Sequence, residues 1–284
     1  MTLCIAWVRQ TKRYPEIIMA ADSCFTGGQT FHAAPKLFPL HRGDCAIACA
    51  GRTTYTFSIV EHIRNTIESS DLLSSRAKDV SDLAGTIVDI INETLHDEKD
   101  KIDSDDIDFE LIFAGFSWRY QKPYIKVMSY DQNVCAFVSK KVGIIKKLPV
   151  AAIGNKEAML KLRYKIRMKL NEAGVPDEGD FGMIPLYVLK EYIDNPNFHS
   201  IDGVPQLLKL YPFSQVLPIG VQMTKDGQKG IFYGGRKLLN YEVFKYPIFD
   251  METGRTRYMK NVSEEYLREV DRVPPIKNVA KRTK

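Results

Sequence analysis

The sequence lacks any long hydrophobic run. No segment approaches the roughly 18 consecutive apolar residues that a membrane-spanning helix requires. Residues 1–12, MTLCIAWVRQTK, also lack the basic start and the long apolar segment of a secretory signal. We therefore expect a cytoplasmic protein that does not associate with a membrane.

Cysteine and histidine are few and scattered along the chain. None of the five cysteines shows the two-residue spacing of a zinc knuckle, and the five histidines lack metal-ligand spacing. Four of the cysteines lie in apolar or small-residue runs, where a free cysteine behaves as a small buried hydrophobe. We expect a reduced protein without a metal site or an organic cofactor.

A strong charge of either sign is absent as well. The chain carries 40 basic and 35 acidic residues, a net charge of +5, and the two signs are largely interspersed. The basic segment 156–173 has helical periodicity, but its aromatic residues do not interleave with the basic ones as base stacking requires. We interpret it as a solvated outer helix or a subunit contact, and we expect no nucleic-acid partner.

Strand-like and helix-like segments alternate in a regular order. Apolar residues recur every three or four positions in the helices, and the strands are short apolar runs bounded by turn residues. The predicted strands are 2–8, 16–22, 36–38, 45–50, 109–118, 123–130, 134–139, 150–154, 204–210, 215–223 and 229–235, and the predicted helices are 53–69, 82–96, 156–173 and 183–193. This order predicts an α+β fold of two stacked sheets with helices on both outer faces.

The residues that can carry chemistry begin at Thr2. Methionine before a small residue is normally removed, which would give Thr2 a free α-amine with a pKa of roughly 7.7–8.0. That amine can accept the proton of the Thr2 hydroxyl, directly or through water, and so activate the oxygen as a nucleophile. A nearby lysine would lower the pKa of the amine, a carboxylate would hold the lysine, and a backbone amide would bind the oxyanion. Lys36, Asp22 and Gly51 lie at strand ends and can supply these groups.

Four stretches occur in an order that resembles one protein family. They are MTLCIAWV, IIMAADSCFTGG, PKLF and AIACAGRTTYTF. The order is similar to the front half of proteasome β-type subunits and their bacterial relatives HslV and Anbu, and Thr-x-Cys after the first methionine is most similar to Anbu. The family pattern maps onto Thr2, Ala21-Asp22-Ser23, Thr26 with Gly28, Lys36, and Ala50-Gly51, with a slightly shorter spacing before Lys36. The resemblance covers residues 2–235 and is strongest near the N-terminus.

The resemblance implies an N-terminal-nucleophile (Ntn) hydrolase, whose fold is a four-layer αββα sandwich of two antiparallel sheets. If the roles of the family apply here, Thr2 is nucleophile and base, Asp22 and Lys36 adjust the pKa of its amine, and the Gly51 amide binds the oxyanion. Thr26 pairs its backbone with an extended substrate. The residues that line the specificity pocket, which favours a hydrophobic side chain, are Phe25, Ala34, Phe38 and Cys49.

Later motifs of the family are altered in this chain. Asn155 follows Gly154 where the family has a serine after a glycine, so Asn155 has to supply the polar contact near the Thr2 amine. The Asp-x-x-Ser-Gly-Gly element is reduced to residues 199–203, HSIDG, in which Ser200 and Asp202 are the candidates. These departures bear on catalysis more than on the fold.

The resemblance also implies a domain of residues 1–240 and self-assembly. Residues 241–284 then form a C-terminal extension with a short helix near 263–270 and a basic tail, which we interpret as an oligomer-contact arm. Subunits of this kind form homo-oligomeric rings or open helical assemblies through head-to-tail contacts. The substrate is a peptide or another amide, and the chain shows no trace of an unfoldase partner.

The sequence leaves alternatives open. The chain is a threonine peptidase, or a catalytically silent proteasome-like scaffold or regulatory subunit, or an amidase that acts on a small non-peptide amide. Asp22 and Lys36 can also be a buried ion pair that only shapes the core. Cys4 is an alternative nucleophile, although a cysteine within a strand is more often part of the core.

Overall fold

The computed structural model describes residues 2–26, 29–98, 107–176, 179–213 and 215–259. Its helices are α1 (Thr53–Ser69), α2 (Asp71–Ser74), α3 (Val80–Asp97), α4 (Lys156–Glu172) and α5 (Ile184–Ile193). Its strands are β1 (Leu3–Gln10), β2 (Pro15–Ala21), β3 (Leu37–Pro39), β4 (Cys45–Gly51), β5 (Phe109–Ser117), β6 (Lys122–Asp131), β7 (Ala136–Lys140), β8 (Gly143–Ile145), β9 (Leu148–Gly154), β10 (Gln206–Tyr211), β11 (Gln215–Lys225), β12 (Gln228–Tyr233), β13 (Arg236–Lys237), β14 (Ile248–Asp250) and β15 (Thr256–Arg257).

The described strands form two sheets. The first has the order β13-β12-β11-β10-β2-β1-β9-β8, and the short strand β14 pairs in parallel with β11 and antiparallel with β15. The second has the order β3-β4-β5-β6-β7 and is antiparallel throughout. Apart from the pairing of β14 with β11, the pairings of the first sheet are antiparallel too.

Three apolar clusters hold the layers together. One joins the outer face of the first sheet to α4 and α5, and another joins the second sheet to α1 and α3. The third lies between the sheets and is rich in small side chains, among them Ala46 and Ala48 of β4. Successive side chains of a strand point to opposite faces, so in β1 Ile5 packs towards the helices and Ala6 packs between the sheets. The predicted αββα sandwich is confirmed.

Most of the predicted elements are also confirmed. Helix α1 covers the predicted residues, and α3, α4 and α5 agree with the prediction within two residues at either end. The elements that the sequence did not reveal are α2, β8, β13, β14 and β15, which have two to four residues each. Such segments are too short to show a period.

The C-terminal part is described up to residue 259. Within it, Phe249 of β14 pairs with Val221 of β11, so this segment joins the first sheet. The predicted helix near 263–270 and the basic tail lie outside the described residues, and the division of the chain at residue 240 stays a prediction. None of the helices within the described ranges has the length and hydropathy that crossing a bilayer requires.

The topology brings four strand ends to one place. Strand β1 begins at Leu3, and its neighbours β2 and β9 run antiparallel to it, so they end beside its start. Leu3 pairs with Gly154, the last residue of β9, and its carbonyl accepts the Asp22 amide at 3.3 Å. In the second sheet, β4 ends at Gly51, which lines the same cavities as Thr2.

Candidate active site

Thr2 lies at the junction of two cavities. It immediately precedes β1 and is 4% exposed. The larger cavity has a volume of about 820 Å³ and the smaller one about 460 Å³. Thr2, Gly51, Arg52 and Asp108 line both. A molecule that extends across Thr2 can therefore occupy both cavities at once.

The side chain of Lys36 is completely buried beside Thr2. Its Nζ donates to Thr2 Oγ1 at 2.6 Å, to Asp22 Oδ2 at 2.8 Å and to the Cys24 carbonyl at 2.6 Å. These three acceptors match the three protons of a lysine ammonium. The arrangement aims a positive charge at the Thr2 hydroxyl.

Asp22 holds this ammonium from the end of β2. Its Oδ1 accepts the Leu3 amide at 2.9 Å, and its Oδ2 accepts the Cys24 amide at 2.9 Å in addition to Lys36. Burial raises the pKa of the Asp22 carboxyl above its ordinary value, while the charge and hydrogen bond of Lys36 and the two backbone amides act in the opposite direction. A buried ion pair is retained at low cost when its other lone pairs and protons are satisfied, as they are here.

Two glycines allow the backbone to close around Thr2. Gly154 has a φ of +112°, and a Cβ at this position would lie 1.9 Å from the Thr2 carbonyl oxygen. Gly51 has a φ of +121°, and a Cβ there would lie 2.2 Å from the Asp108 carbonyl oxygen. Both positions therefore require glycine, because another residue would clash with the backbone as well as strain its own.

Asn155 contacts Thr2 through its backbone. Its amide donates to the Thr2 carbonyl at 2.7 Å, and its side-chain Oδ1 caps α4 by accepting the Ala158 amide at 2.9 Å. Asn155 also lines the larger cavity. The structure thus brings it to Thr2, and its predicted role at the Thr2 amine stays a prediction.

The predicted substrate-binding residues separate into two groups. Phe25 and Thr26 line the smaller cavity, together with Tyr55 from the first turn of α1. Three others are buried and line neither cavity: Ala34, Phe38 and Cys49. Phe57 of α1 accounts for the position of Phe38, because its ring packs edge-on against Phe25 at 5.0 Å and against Phe38 at 5.9 Å. Gly28, which the family motif includes, lies outside the described residues.

The altered late motif contacts the segment after Asp22 but does not line the two cavities. Ser200 and Asp202 line neither of the two cavities. The Asp202 carboxylate lies 3.3 Å from His32 Nδ1, and its carbonyl accepts the Ser23 amide at 3.2 Å. The structure therefore brings Thr2, Asp22, Lys36, Gly51 and Asn155 together, whereas Ser200 and Asp202 are not part of the cavity lining.

Cys4 is embedded in the core next to the site. It is completely buried, and its Sγ donates to the Cys49 carbonyl at 3.3 Å. Burial raises the pKa of the Cys4 thiol well above its ordinary value. Since the thiolate is the reactive form, Cys4 is not suited to act as a nucleophile. Within the described ranges, no group of three or more His, Cys, Asp or Glu side chains is arranged to hold a metal ion.

Two polar residues at the site were not predicted from the sequence. The Glu110 carboxylate lines the larger cavity, and its Oε2 accepts the Gly154 amide at 3.0 Å. The Gln206 side chain is buried against the backbone around Asp22 and Lys36. Each is a polar residue next to an apolar run of a predicted strand, FELIFAG or QLLKL, and this is the signal that the sequence offered.

The arrangement of the chain is shared with solved structures. It is similar to Anbu from Hyphomicrobium sp. strain MC1, with a TM-score of 0.52 at 13% identity over 81% of this chain and 87% of that one. The fold is that of Anbu. A (Gly-1) mutant of the same Anbu gives a TM-score of 0.52 at 16% identity over 82% and 87% of the two chains. Anbu from Yersinia bercovieri, an ancestral β-subunit, gives a TM-score of 0.49 at 14% identity over 73% of this chain and 80% of that one.

The likeness to Anbu emerges from comparison of whole structures and not from comparison of whole sequences. No protein-family model matches the sequence, and no curated protein matches it. The resemblance inferred from the N-terminal motifs is confirmed at the level of the Anbu fold. Because one fold can host different activities, the chemistry of this chain has to be argued from its own site.

Proposed function

We propose that the protein is a threonine-type Ntn hydrolase that cleaves peptide or other amide bonds with Thr2 after removal of Met1. The observation that carries the proposal is the 2.6 Å contact between Lys36 Nζ and Thr2 Oγ1, in a lysine that is fully buried and held by Asp22. A lysine that only shaped the core would not need to direct a proton at the hydroxyl of a residue that lines a cavity.

The chemistry follows from the groups around Thr2. The free α-amine accepts the hydroxyl proton while Thr2 Oγ1 attacks the substrate carbonyl carbon. The Lys36 ammonium favours the unprotonated amine by like-charge repulsion, and the Gly51 amide stabilises the oxyanion. The C–N bond then breaks, the leaving amine takes the proton from the α-ammonium, and an ester remains on Thr2. Water hydrolyses that ester and restores the hydroxyl.

The two cavities supply room for both halves of a substrate. We assign the acyl half to the smaller cavity, where Phe25 and Tyr55 provide an aromatic lining and Thr26 offers its backbone to an extended chain. The leaving group then occupies the larger cavity beside Glu110 and Asn155. This assignment favours a hydrophobic side chain immediately before the scissile bond.

We also propose that the protein works as a cytoplasmic homo-oligomer without a cofactor. A ring and an open helical assembly are both compatible with the family resemblance. The outer face of α4 suits a subunit contact, since Leu160, Tyr164 and Met168 are exposed there at a spacing of four residues. Residues 241–284 are a second candidate contact, of which 241–259 are described.

A silent scaffold is the second candidate function. It is favoured by the position of Ser200 and Asp202, which leaves the late family motif outside the cavities that Thr2 lines. In that case the Asp22–Lys36 pair is a structural remnant, and Thr2 does not turn over amide substrates.

Hydrolysis assays with matched variants separate these functions. A panel of fluorogenic peptides with hydrophobic residues before the reporter, compared with small non-peptide amides, divides a peptidase from an amidase. We expect Thr2→Ala to abolish turnover, Thr2→Ser to retain part of it, and the remote control Thr94→Ala on α3 to match the wild type. Absence of turnover in the wild-type oligomer on every substrate would favour the scaffold.

A further inference from the structure

Gln206 is a buried amide that bonds to three backbone groups around the site. It is 4% exposed and begins β10. Its Nε2 donates to the Asp22 carbonyl at 3.0 Å and to the Ala34 carbonyl at 2.8 Å, and its Oε1 accepts the Lys36 amide at 3.1 Å. One side chain thus connects the segments that carry the acid and the ammonium.

The register of the first sheet explains how Gln206 reaches both segments. Gln206 pairs with Ala21, the residue directly before Asp22. The neighbouring segment 33–36 has no regular secondary structure. It contains Pro35, which has no amide proton to donate, and its backbone bonds outside Gln206 are those of the Ala34 amide to the Ser23 carbonyl and of the Cys49 amide to the Lys36 carbonyl. The bonds from Gln206 to Ala34 and Lys36 enclose this proline on both sides.

The backbone of Lys36 is fixed from two directions. Its amide donates to Gln206 Oε1 at 3.1 Å, and its carbonyl accepts the Cys49 amide of β4 at 3.1 Å. Since β4 belongs to the second sheet and β10 to the first, Lys36 is held between the sheets. The position of its Cα decides whether Nζ reaches Thr2 Oγ1.

We propose that Gln206 is the positioning residue that sets the reach of Lys36 to Thr2 and Asp22. The role requires two hydrogen-bond donors and one hydrogen-bond acceptor in a planar group. Among side chains of this length, glutamine supplies that combination. A glutamate would place an acceptor against two carbonyl oxygens, and a methionine would leave three buried backbone groups without partners. The inference rests on the proposed Thr2 chemistry for its kinetic consequences, whereas its geometric consequences can be measured without it.

The kinetic test compares Gln206→Met and Gln206→Glu with a matched control. The control is Gln222→Met, because Gln222 is also a buried glutamine, on the adjacent strand β11, and its amide bonds to Asp250 and Arg257 away from Thr2. A displacement of about 1 Å in a catalytic group can lower the rate by about 100-fold. We expect both Gln206 variants to lose kcat on that scale with KM nearly unchanged, and the acidic limb of the kcat/KM profile to shift to higher pH, because a displaced ammonium no longer lowers the pKa of the Thr2 amine.

The geometric test is a crystal structure of each Gln206 variant. We expect the distance between Lys36 Nζ and Thr2 Oγ1 to increase beyond hydrogen-bonding range while the sheets stay in place, and the control to keep the wild-type distance. An unchanged distance in both Gln206 variants would overturn the inference, as would a kinetic loss equal to that of Gln222→Met. If the wild type shows no turnover but the variants displace Lys36, the positioning role stands and the proposed hydrolase function fails.

Discussion

The side chains of Lys36 and Asp22 are both completely buried, and they form an ion pair with each other. Removing one partner of such a pair leaves an uncompensated buried charge, which costs about 3–5 kcal/mol. We therefore expect Lys36→Met to lower the free energy of unfolding by that amount, because Asp22 loses its counter-ion and one of its donors. Urea denaturation at neutral pH, monitored by circular dichroism, measures the change.

The double variant Asp22→Asn/Lys36→Met shows whether the pair acts as a unit. Neither charge remains in it, so we expect it to be less destabilised than the sum of the two single variants. The control pair is Glu157 and Lys161 on the exposed face of α4, where loss of either charge should cost less than about 1 kcal/mol. Strict additivity at positions 22 and 36 would show that the two charges are not coupled.

Glu110 gives the molecule a pH dependence at the larger cavity. Burial raises the pKa of its carboxyl above the ordinary value of 4.5, and the hydrogen bond from Gly154 acts in the opposite direction. The folded protein therefore holds this proton to a higher pH than the unfolded chain does. Its contribution to stability is largest below pH 4.5 and decreases as the pH rises from there through the folded-state pKa.

The Glu110→Gln variant should remove this dependence. Glutamine keeps an oxygen to accept the Gly154 amide and does not titrate. We expect the free energy of unfolding of the variant to rise relative to the wild type as the pH increases from 4.5 through the folded-state pKa of Glu110. A constant difference across this range would mean that the pKa of Glu110 is the same in the folded and unfolded states.

At the scale of single elements, Gly154 at the end of β9 is the position where the strand approaches Thr2 most closely. A Cβ there would lie 1.9 Å from the Thr2 carbonyl oxygen. We expect Gly154→Ala to displace Thr2 and to abolish turnover and covalent labelling of Thr2. Fluorogenic turnover and intact-mass labelling measure the effect.

Gly174, which follows α4, provides the matched control. Its φ is +65°, so alanine is strained there as well, but among the described residues no atom beyond the chain neighbours lies within 4 Å of the added Cβ. We expect Gly174→Ala to cost about 1–2 kcal/mol of stability and to leave turnover unchanged. Wild-type turnover in Gly154→Ala would show that the fit of β9 against Thr2 is not required.

Regular elements were predictable from the sequence because their patterns are local. The helical spacing of apolar residues in α1, and the alternation of turn residues with apolar runs in the strands, were enough to predict the order of the layers. Strand β14 was not predictable, since its three residues show no period and their partner in β11 is about thirty residues away in the sequence. The short helix predicted near residues 263–270 lies outside the described residues.

The part of the candidate site that could be predicted consists of residues whose types and order in the sequence match a known chemistry. Thr2, Asp22 and Lys36 stood out because the chemistry of an N-terminal nucleophile asks for those residue types in that order. Gln206 did not stand out, because its hydrogen-bond partners depend on how β10 is aligned with β2, and the paired residues Gln206 and Ala21 are nearly 190 residues apart in the sequence. Phe38 does not line either cavity at Thr2, and its ring packs instead against Phe57 of α1, which also contacts Phe25 and whose direction the sequence could not fix.

At the scale of the whole molecule, the sandwich leaves an apolar stripe on its surface. Leu160, Tyr164 and Met168 face outwards on α4, where large apolar side chains in a row are typical of a contact surface. We expect the wild type to sediment as a homo-oligomer and the double variant Leu160→Glu/Tyr164→Glu to dissociate. The control Val134→Glu, an exposed apolar residue in the turn between β6 and β7, should assemble normally. A monomeric wild type, or an unaffected double variant, would exclude α4 as the contact.

The central claim is that one residue, Thr2, carries both the nucleophile and its base. The most direct measurement is the intact mass of the purified protein before and after treatment with a peptide epoxyketone, which reacts with a hydroxyl and an amine on the same residue. We predict a mass that lacks Met1 and a single adduct, mapped to Thr2 by peptide sequencing and absent in Thr2→Ala. A chain that retains Met1 and gains no adduct would contradict the claim.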